Sequence, residues 1–447
     1  MEDKTMKKTV FGIATLLLAL SACNKIETID QPVGMADGIP FSATVSLGDN
    51  AATKALAENG STITASWAEG EKVALIHNGV SDEMTVSSVS GGSATISGTI
   101  TGTPADGDAV TIIYPSSAAD GTTGNIKADL LYAQNGLLTG EGSIAEKYDA
   151  RKGTGTLKVD GTATLGGSVS LTNQFAIFKF TVRGADGTTV ISAKPLTVTI
   201  GTQDYVITPA AATDVLYAAL PAVSGEKVSF DATDGSDRTY TCAKLSVSFA
   251  AGSYYQSTLK MREYVDLGIV VGGKKIKWAT CNVGAANPQD YGDYFAWGET
   301  TTKTDYKSDW SNYFDTSDGG FTFTKYNIDG GKTVLDLEDD AANANWGGSW
   351  RMPTNAEMNA LLALSKEWVT YEGVNGYKFT GNGKTLFLPA AGFRLDTDLG
   401  YAGSRGYYWS SSLRGSDYAW RVYFDSGAAR SSSYSRYYGQ PVRPVTE

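Results

Sequence analysis

Between residues 37 and 259 the pattern of apolar and polar positions is one of strands and turns. In LTNQFAIFKFTVR (171–183), Phe178, Phe180 and Val182 fall on one face and Lys179 and Thr181 on the other, the pattern of a half-buried strand. PLTVTIGTQDYVITPA (195–210) predicts two strands joined by a polar turn around Gly201-Thr202-Gln203-Asp204. DAVTIIYP (108–115) predicts a short strand stopped by Pro115, and KLSVSFAAGSYYQSTLKM (244–261) a hairpin turning at Ala251-Gly252. Repeated strands of this length predict β-sandwiches, and the region is long enough for two in tandem, with the Gly-rich stretch 152–167 as the seam. The expected division is one sandwich over 37–155 and a second over 156–260.

A helical pattern follows WGGSWRMPTNAEMNALL (346–362). Thr354-Asn355-Ala356-Glu357 reads as a capping box, with Pro353 holding the residue before the cap extended. Met358, Leu361, Leu362 and Ser365 then recur on one inward face. Trp350 and Arg351 are expected to fasten the entering strand to a sheet.

Composition divides the chain near residue 260. Of nine tryptophans, only Trp67 precedes Trp278. With 447 residues, two or three domains are expected, and 51 glycines with 24 tyrosines favour β structure with many turns. A net charge of −11 argues against nucleic-acid binding, which needs a basic face. The single histidine, His77, would have to carry any His-based metal site or triad alone. The other reading is a strand residue beside the turn His77-Asn78-Gly79. Cys242 and Cys281 read as small buried apolar residues rather than nucleophiles.

The first 23 residues read as a targeting segment. Lys7-Lys8 precede an apolar run from Val10 to Leu20, too short to stay in a bilayer as a spanning helix. It ends in Leu20-Ser21-Ala22-Cys23, which closely resembles a bacterial lipobox. That resemblance implies cleavage before Cys23 and lipid on its thiol; an ordinary signal peptide with a chance cysteine is the alternative. Residues 24–36 read as a tether.

FSATVS and ATKALAENGSTITASWAEGEKVALI within 41–76, DLLYA (129–133) and SVSLTNQFAIFKFTV (168–182) resemble the fimbrillin-like lipoproteins of Bacteroides-type bacteria. The resemblance covers about 37–259 and rests on Thr53-Lys54-Ala55 ahead of a Trp67-to-Val73 strand. It implies two transthyretin-like β-sandwiches, an outer-membrane lipid anchor and proteolytic processing at Lys54. It further implies pairing with other fimbrillin subunits by donor-strand exchange. The family more often carries arginine at the cut position.

WATCNVGA, YFAWGET, WRMPT, LPAAGFR, YWSSS and VRPV occur in that order within 264–447. They resemble the Fibrobacter succinogenes major paralogous domain. WRMPT with its helix is also similar to formylglycine-generating and related C-type-lectin-like domains. The implied fold is α+β: short strands, long loops and one or two helices. The paired cysteines of formylglycine-generating enzymes and the sugar motifs of calcium-dependent lectins are absent from the sequence.

Three residue groups in this region carry candidate chemistry. DLEDDAAN (336–343) offers Glu338, Asp339 and Asp340 as calcium ligands, or else a solvated helix start. Asp293, Glu299 and Arg351 would be the polar set of a surface enzyme or enzyme remnant. From Arg394 onward, seven arginines and no lysine are interleaved with tyrosine and tryptophan. Arg405, Tyr407, Trp409, Arg414, Tyr418 and Trp420 are the expected ligand-binding set. The alternative is strands with arginines on the wet face.

The combined expectation is a cell-outer-membrane lipoprotein, a fimbrial tip adhesin whose C-terminal domain binds a host or bacterial glycan or protein. No catalytic residue, metal or cofactor is expected, and no nucleic acid. A surface enzyme and a structural pilus subunit are the competing readings.

Overall fold

The structure is a computed structural model, described for residues 38–47, 57–60, 62–64, 66–307, 314–315, 322–323, 325–328 and 332–447. Cys23, the tether and Lys54 lie outside the described residues. The chain is mainly β.

The first unit opens with β1 (Ile39–Leu47), which turns Phe41 and Val45 inward. A hairpin of β2 (Ala57–Asn59) and β3 (Thr62–Thr64) stands outside the main sheets. The meander β4 (Lys72–His77), β5 (Val80–Ser90), β6 (Ser93–Ile100) and β7 (Ala109–Tyr114) follows. β8 (Ala133–Gln134) crosses to the next unit's sheet. β9 (Arg151–Asp160), β10 (Thr162–Leu165) and β11 (Val169–Asn173) complete the first. β1 pairs antiparallel with β6 from Ile39↔Ile100 to Ser46↔Ser93 and parallel with β10 and β11 on its other edge. The sheet therefore closes on itself. Its interior holds Phe41, Val73, Leu75, Ile96 and Leu171.

The sheet changes at Gln174, so the division expected at 155/156 falls inside β9. The glycines that suggested a seam serve close packing instead. A Cβ on Gly153 would meet Ser170 O at 2.7 Å, and one on Gly155 would meet Val169 Cγ2 at 2.7 Å. Glycine lets β9 lie against β11 where any side chain would push it away.

The second unit comprises β12 (Phe175–Gly184), β13 (Ala193–Ile200), β14 (Gln203–Ile207), β15 (Val215–Pro221), β16 (Val223–Asp234) and β17 (Thr239–Phe249). It also takes the first half of β18 (Tyr254–Val271). Phe178, Phe180 and Val182 are buried as their alternation predicts. β13 and β14 form the expected hairpin, with Gly201 at φ +60°. The hairpin expected around Ala251-Gly252 forms only at its far end. β17 and β18 pair from Thr239↔Tyr264 to Thr241↔Arg262 and then splay. Nearer the turn β18 pairs in parallel with β12, and β17 with β16.

The 18-residue β18 then continues into the C-terminal unit, pairing with β19 (Lys274–Ala279) from Tyr264↔Ala279 to Val271↔Lys274. The boundary expected at 260–264 lies mid-strand. The change in composition there marks a change of pairing partners. Two short strands, β20 (Phe314–Asp315) and β21 (Thr322–Phe323), precede helices α1 (Ala341–Trp346) and α2 (Asn355–Leu362). Then come β22 (Ser365–Tyr371), β23 (Val374–Gly381), β24 (Lys384–Pro389), β25 (Phe393–Leu395) and β26 (Asp398–Gly400). A meander of β27 (Arg405–Arg414), β28 (Tyr418–Asp425) and β29 (Ala428–Ser435) follows, and β30 (Val445–Thr446) returns to pair with β19. Among the described residues no helix is long and apolar enough to cross a membrane.

The α2 capping box forms as read. Thr354 Oγ1 accepts from Glu357 N at 3.3 Å, and Thr354 N donates to Glu357 Oε2 at 2.7 Å. Met358 and Leu361 are fully buried, but the helix ends at Leu362 and Ser365 is exposed at the start of β22. Arg351 clamps the turn, donating to both oxygens of Glu357 at 2.8 and 2.6 Å. Its backbone bridges Val445. This stretch is thus a helix cap fastened to the chain's last strand.

Candidate functional site

The arginine-rich segment folds into the β27–β28–β29 meander, and its register decides which side chains meet. Arg405 lies opposite Asp425, Tyr407 opposite Tyr423, Trp409 opposite Arg421, and Arg430 opposite Tyr423. Directly opposed residues share a face. A bulge after Trp409 then shifts the register so that Arg414 opposes Tyr418. Tyr418 and Trp420 alternate with Arg421 and Tyr423, so they point to the other face. The six expected binding residues are therefore split in two: Arg405, Tyr407 and Trp409 on one side, Arg414, Tyr418 and Trp420 on the other.

Burial divides them further. Trp409 is 0% exposed, with its indole N–H on Phe295 O at 3.0 Å, and Tyr407 is 3% exposed. Neither presents a surface to a ligand. The accessible part is Arg405, 4.1 Å above the exposed Tyr401, and Arg430, 4.7 Å above Tyr423. On the opposite face Arg414 lies 4.7 Å above Trp420 beside the exposed Tyr418. Each pair offers a planar cation on an aromatic platform, suited to a carboxylate or a stacked ring.

Other arginines of the segment are structural. Arg421 is buried between Tyr434 at 4.0 Å and Tyr407 at 4.7 Å, and burial pushes its guanidinium down to about 10. Arg436 donates to Tyr326 O and Ser416 O at 2.8 and 3.0 Å. Arg443, fully buried, donates to Asn282 Oδ1 at 2.7 Å and Thr280 O at 2.6 Å. The sequence reading did not separate these from surface arginines. The parity of residues 420 and 421 was visible in the sequence; the carbonyls awaiting Arg443 were not.

The remaining candidates are each committed to a local partner. The carboxylates of Asp336, Glu338 and Asp339 do converge. Lys325 already fills the convergence: its Nζ donates to Glu338 and Asp339 and lies 3.2 Å from Asp336. Asp340 is not solvated. It caps α1 through Ala342 N and Asn343 N at 2.9 and 3.0 Å and also accepts from Met352 N at 2.8 Å. Its burial raises the carboxyl to about 6. Glu299 pairs with Lys303 at 2.8 Å, Arg351 with Glu357 and Glu447, and Asp293 lies against Gly284. His77 ends β4 beside Asn78 at φ +47°, bonded to Asp108 at 2.8 Å. Cys242 and Cys281 are free thiols, both pushed up by burial, Cys242 to about 12.

Over residues 369–445 the chain matches a family described as a domain of unknown function, DUF8237. No curated protein matches the chain. Among solved structures, a fimbrial assembly protein from Parabacteroides distasonis is 12% identical, over 51% of this chain and 94% of that one, at a TM-score of 0.30. A fimbrial protein from Bacteroides ovatus is 13% identical, over 92% of this chain and 99% of that one, at 0.24. Likeness of this degree carries no functional argument.

Proposed function

We propose that the chain is a lipid-anchored surface protein: two fimbrillin-like β units carrying a C-type-lectin-like C-terminal unit that binds a ligand, as a fimbrial tip adhesin does. The observation that carries this reading is β18, one uninterrupted strand that belongs to the second unit's sheet and to the first hairpin of the C-terminal unit. A shared strand transmits force through main-chain hydrogen bonds, where a loop linker would let the two units swing. The exposed arginine–aromatic pairs on both faces of the meander supply contact surface on the unit so held. The resemblance to a lipobox at Cys23 supports anchoring. The pairing of β1 along both edges supports strand exchange, because its removal after a cut at Lys54 would open two edges at once. A catalytic reading lacks a convergent set, since Asp293, Glu299 and Arg351 each serve a different neighbour.

The test is mass spectrometry of the mature N-terminus from outer membranes, with protease shaving of intact cells. The expected result is lipidated Cys23 and shaved peptides from 264–447. An N-terminus at Ala55 would select the polymerising form. A chain that keeps residues 1–22 and is found inside the cell would overturn the proposal.

A further inference from the structure

Where β17 and β18 splay, they leave a crevice of about 520 Å³ between residues 242–245 and 258–262. The loop from Trp346 to Trp350 closes it from the C-terminal side. That loop sits tightly. Gly348, at φ +61°, comes so near β17 that a Cβ would meet Ala243 O at 2.8 Å. Asn343 Nδ2 ties the loop through Gly348 O at 3.2 Å and Trp350 O at 2.9 Å. Trp346 and Trp350 meet edge to face, with ring centroids 5.3 Å apart. The walls are therefore held before any ligand arrives.

The charge of this crevice is one-sided. Lys244, Lys260 and Arg262 line it and no carboxylate does, in a chain whose net charge is −11. Arg262 stands with its guanidinium 4.0 Å above the Trp346 ring. Several half-buried cations elsewhere on the sheets have carboxylates, Lys179 with Glu58, Arg183 with Asp214 and Lys277 with Asp231, whereas Arg394 and Arg405, like Arg262, lie over aromatic rings. The Arg262 guanidinium has no ion pair and no hydrogen bond to any described residue. A partly desolvated planar fork without an acceptor is a poor arrangement for stability alone and a good one for an incoming oxyanion. On the far side of the Arg262–Trp346 pair, a second crevice of about 450 Å³ is lined by Asp186 and Glu263, which places the anion in the first.

We infer that the β17–β18 crevice binds a small molecule bearing an oxyanion, carboxylate or sulfate, seated on Arg262 and flanked by Lys244 and Lys260. Its volume lies in the range of small-molecule sites, roughly 300–1,000 Å³. This site is separate from the arginine–aromatic pairs of the meander, and the inference holds wherever the chain resides.

The test titrates the full-length chain, purified in detergent, with glucuronate, inorganic sulfate and glucose, reading calorimetric heat and tryptophan fluorescence. Glucuronate or sulfate is expected to bind, more weakly as salt rises, and glucose not to bind. Glucuronate alone would assign a carboxylate ligand, sulfate alone a sulfated one. Arg262→Gln is expected to weaken binding about tenfold or more. Because that change lies at the junction, Lys244→Gln with Lys260→Gln, both exposed, provides a second reading: a severalfold loss with unchanged Tm. Binding untouched by either variant, glucose binding equally well, or no anion binding at about 10 mM would overturn the inference.

Discussion

The first β unit and the C-terminal unit bury different chemistry. The first encloses mostly aliphatic side chains, with Phe41, Trp67 and Tyr114 among them, on strands that alternate in and out, and among the described residues each strand of its sheet is paired on both edges. The C-terminal unit mixes strands of eight to ten residues with strands of two or three and with long connections. Its largest fully buried side chains include Trp278, Trp297, Trp409, Arg436 and Arg443. Connections leave carbonyls that no ladder satisfies, and a buried carbonyl without a donor is costly. Arg436 and Arg443 supply such donors, and the Trp297 ring covers the charge of Arg436. Arginine in such a fold is first a way of organising backbone, so its frequency does not locate a binding site.

Two substitutions of similar expected size break the comparison from either side. Arg443→Ala removes the donors of Asn282, Ala279 and Thr280 and should destabilise the C-terminal unit by about 3–5 kcal/mol. Phe41→Ala opens a cavity behind β1 and should cost the first unit about 3–5 kcal/mol. Chemical denaturation separates them, because Trp67 is the only tryptophan of the first unit. If Arg443→Ala leaves the C-terminal transition in place, the carbonyl-organising role is wrong. As a control, Arg414→Ala on the exposed rim should stay within about 0.5 kcal/mol.

The same contrast governs how much could be read in advance. Period-two alternation located β7, β12, β13 and β14, because a half-buried strand writes its environment into its sequence. It failed where glycine had two meanings: Gly153 and Gly155 look like a linker and act as a close approach. It failed again where one strand serves two units, since nothing local marks a change of partner at Arg262. At the candidate site, residue type located the meander, but the bulge after Trp409 sends the chosen residues to opposite faces. Only the pairing register contains that information.

The next effect is smaller and tests the capping box, which formed as the sequence predicted. Thr354→Ala removes the hydroxyl that accepts from Glu357 N, and should cost about 1 kcal/mol. Glu357→Gln keeps the shape but discharges the partner of Arg351, and should cost more than the cap alone, since that guanidinium is only partly exposed. A Tm ranking with Thr354→Ala below Glu357→Gln would show that the cap, not the ion pair, secures the turn.

The smallest effect is local and lies between the two units. The β2–β3 hairpin follows β1 in the chain, yet Glu58 straps it to the second unit. Its carboxylate accepts from Lys179 Nζ at 2.7 and 2.9 Å, Tyr217 Oη at 2.7 Å and Tyr254 Oη at 3.0 Å. The Lys179 hydrogen bond, followed by that of Tyr217, holds the Glu58 carboxyl below its ordinary value of 4.5. A depressed folded value means the strap is fully stabilising above about pH 4.5 and weakens as pH falls through the folded value. Hydrogen-exchange protection of 57–64, corrected for intrinsic rates, should therefore hold from pH 7 to 5 and drop below pH 4. Glu58→Gln should show roughly the acid level of protection at pH 7, with global unfolding unchanged. Equal protection in the variant and the parent would mean that the hairpin is held by something other than this carboxylate. In that case the carboxylate that, among the described residues, bridges the hairpin to the second unit would be incidental, and the Gln256 amide on Gly60 O would be the contact to test next.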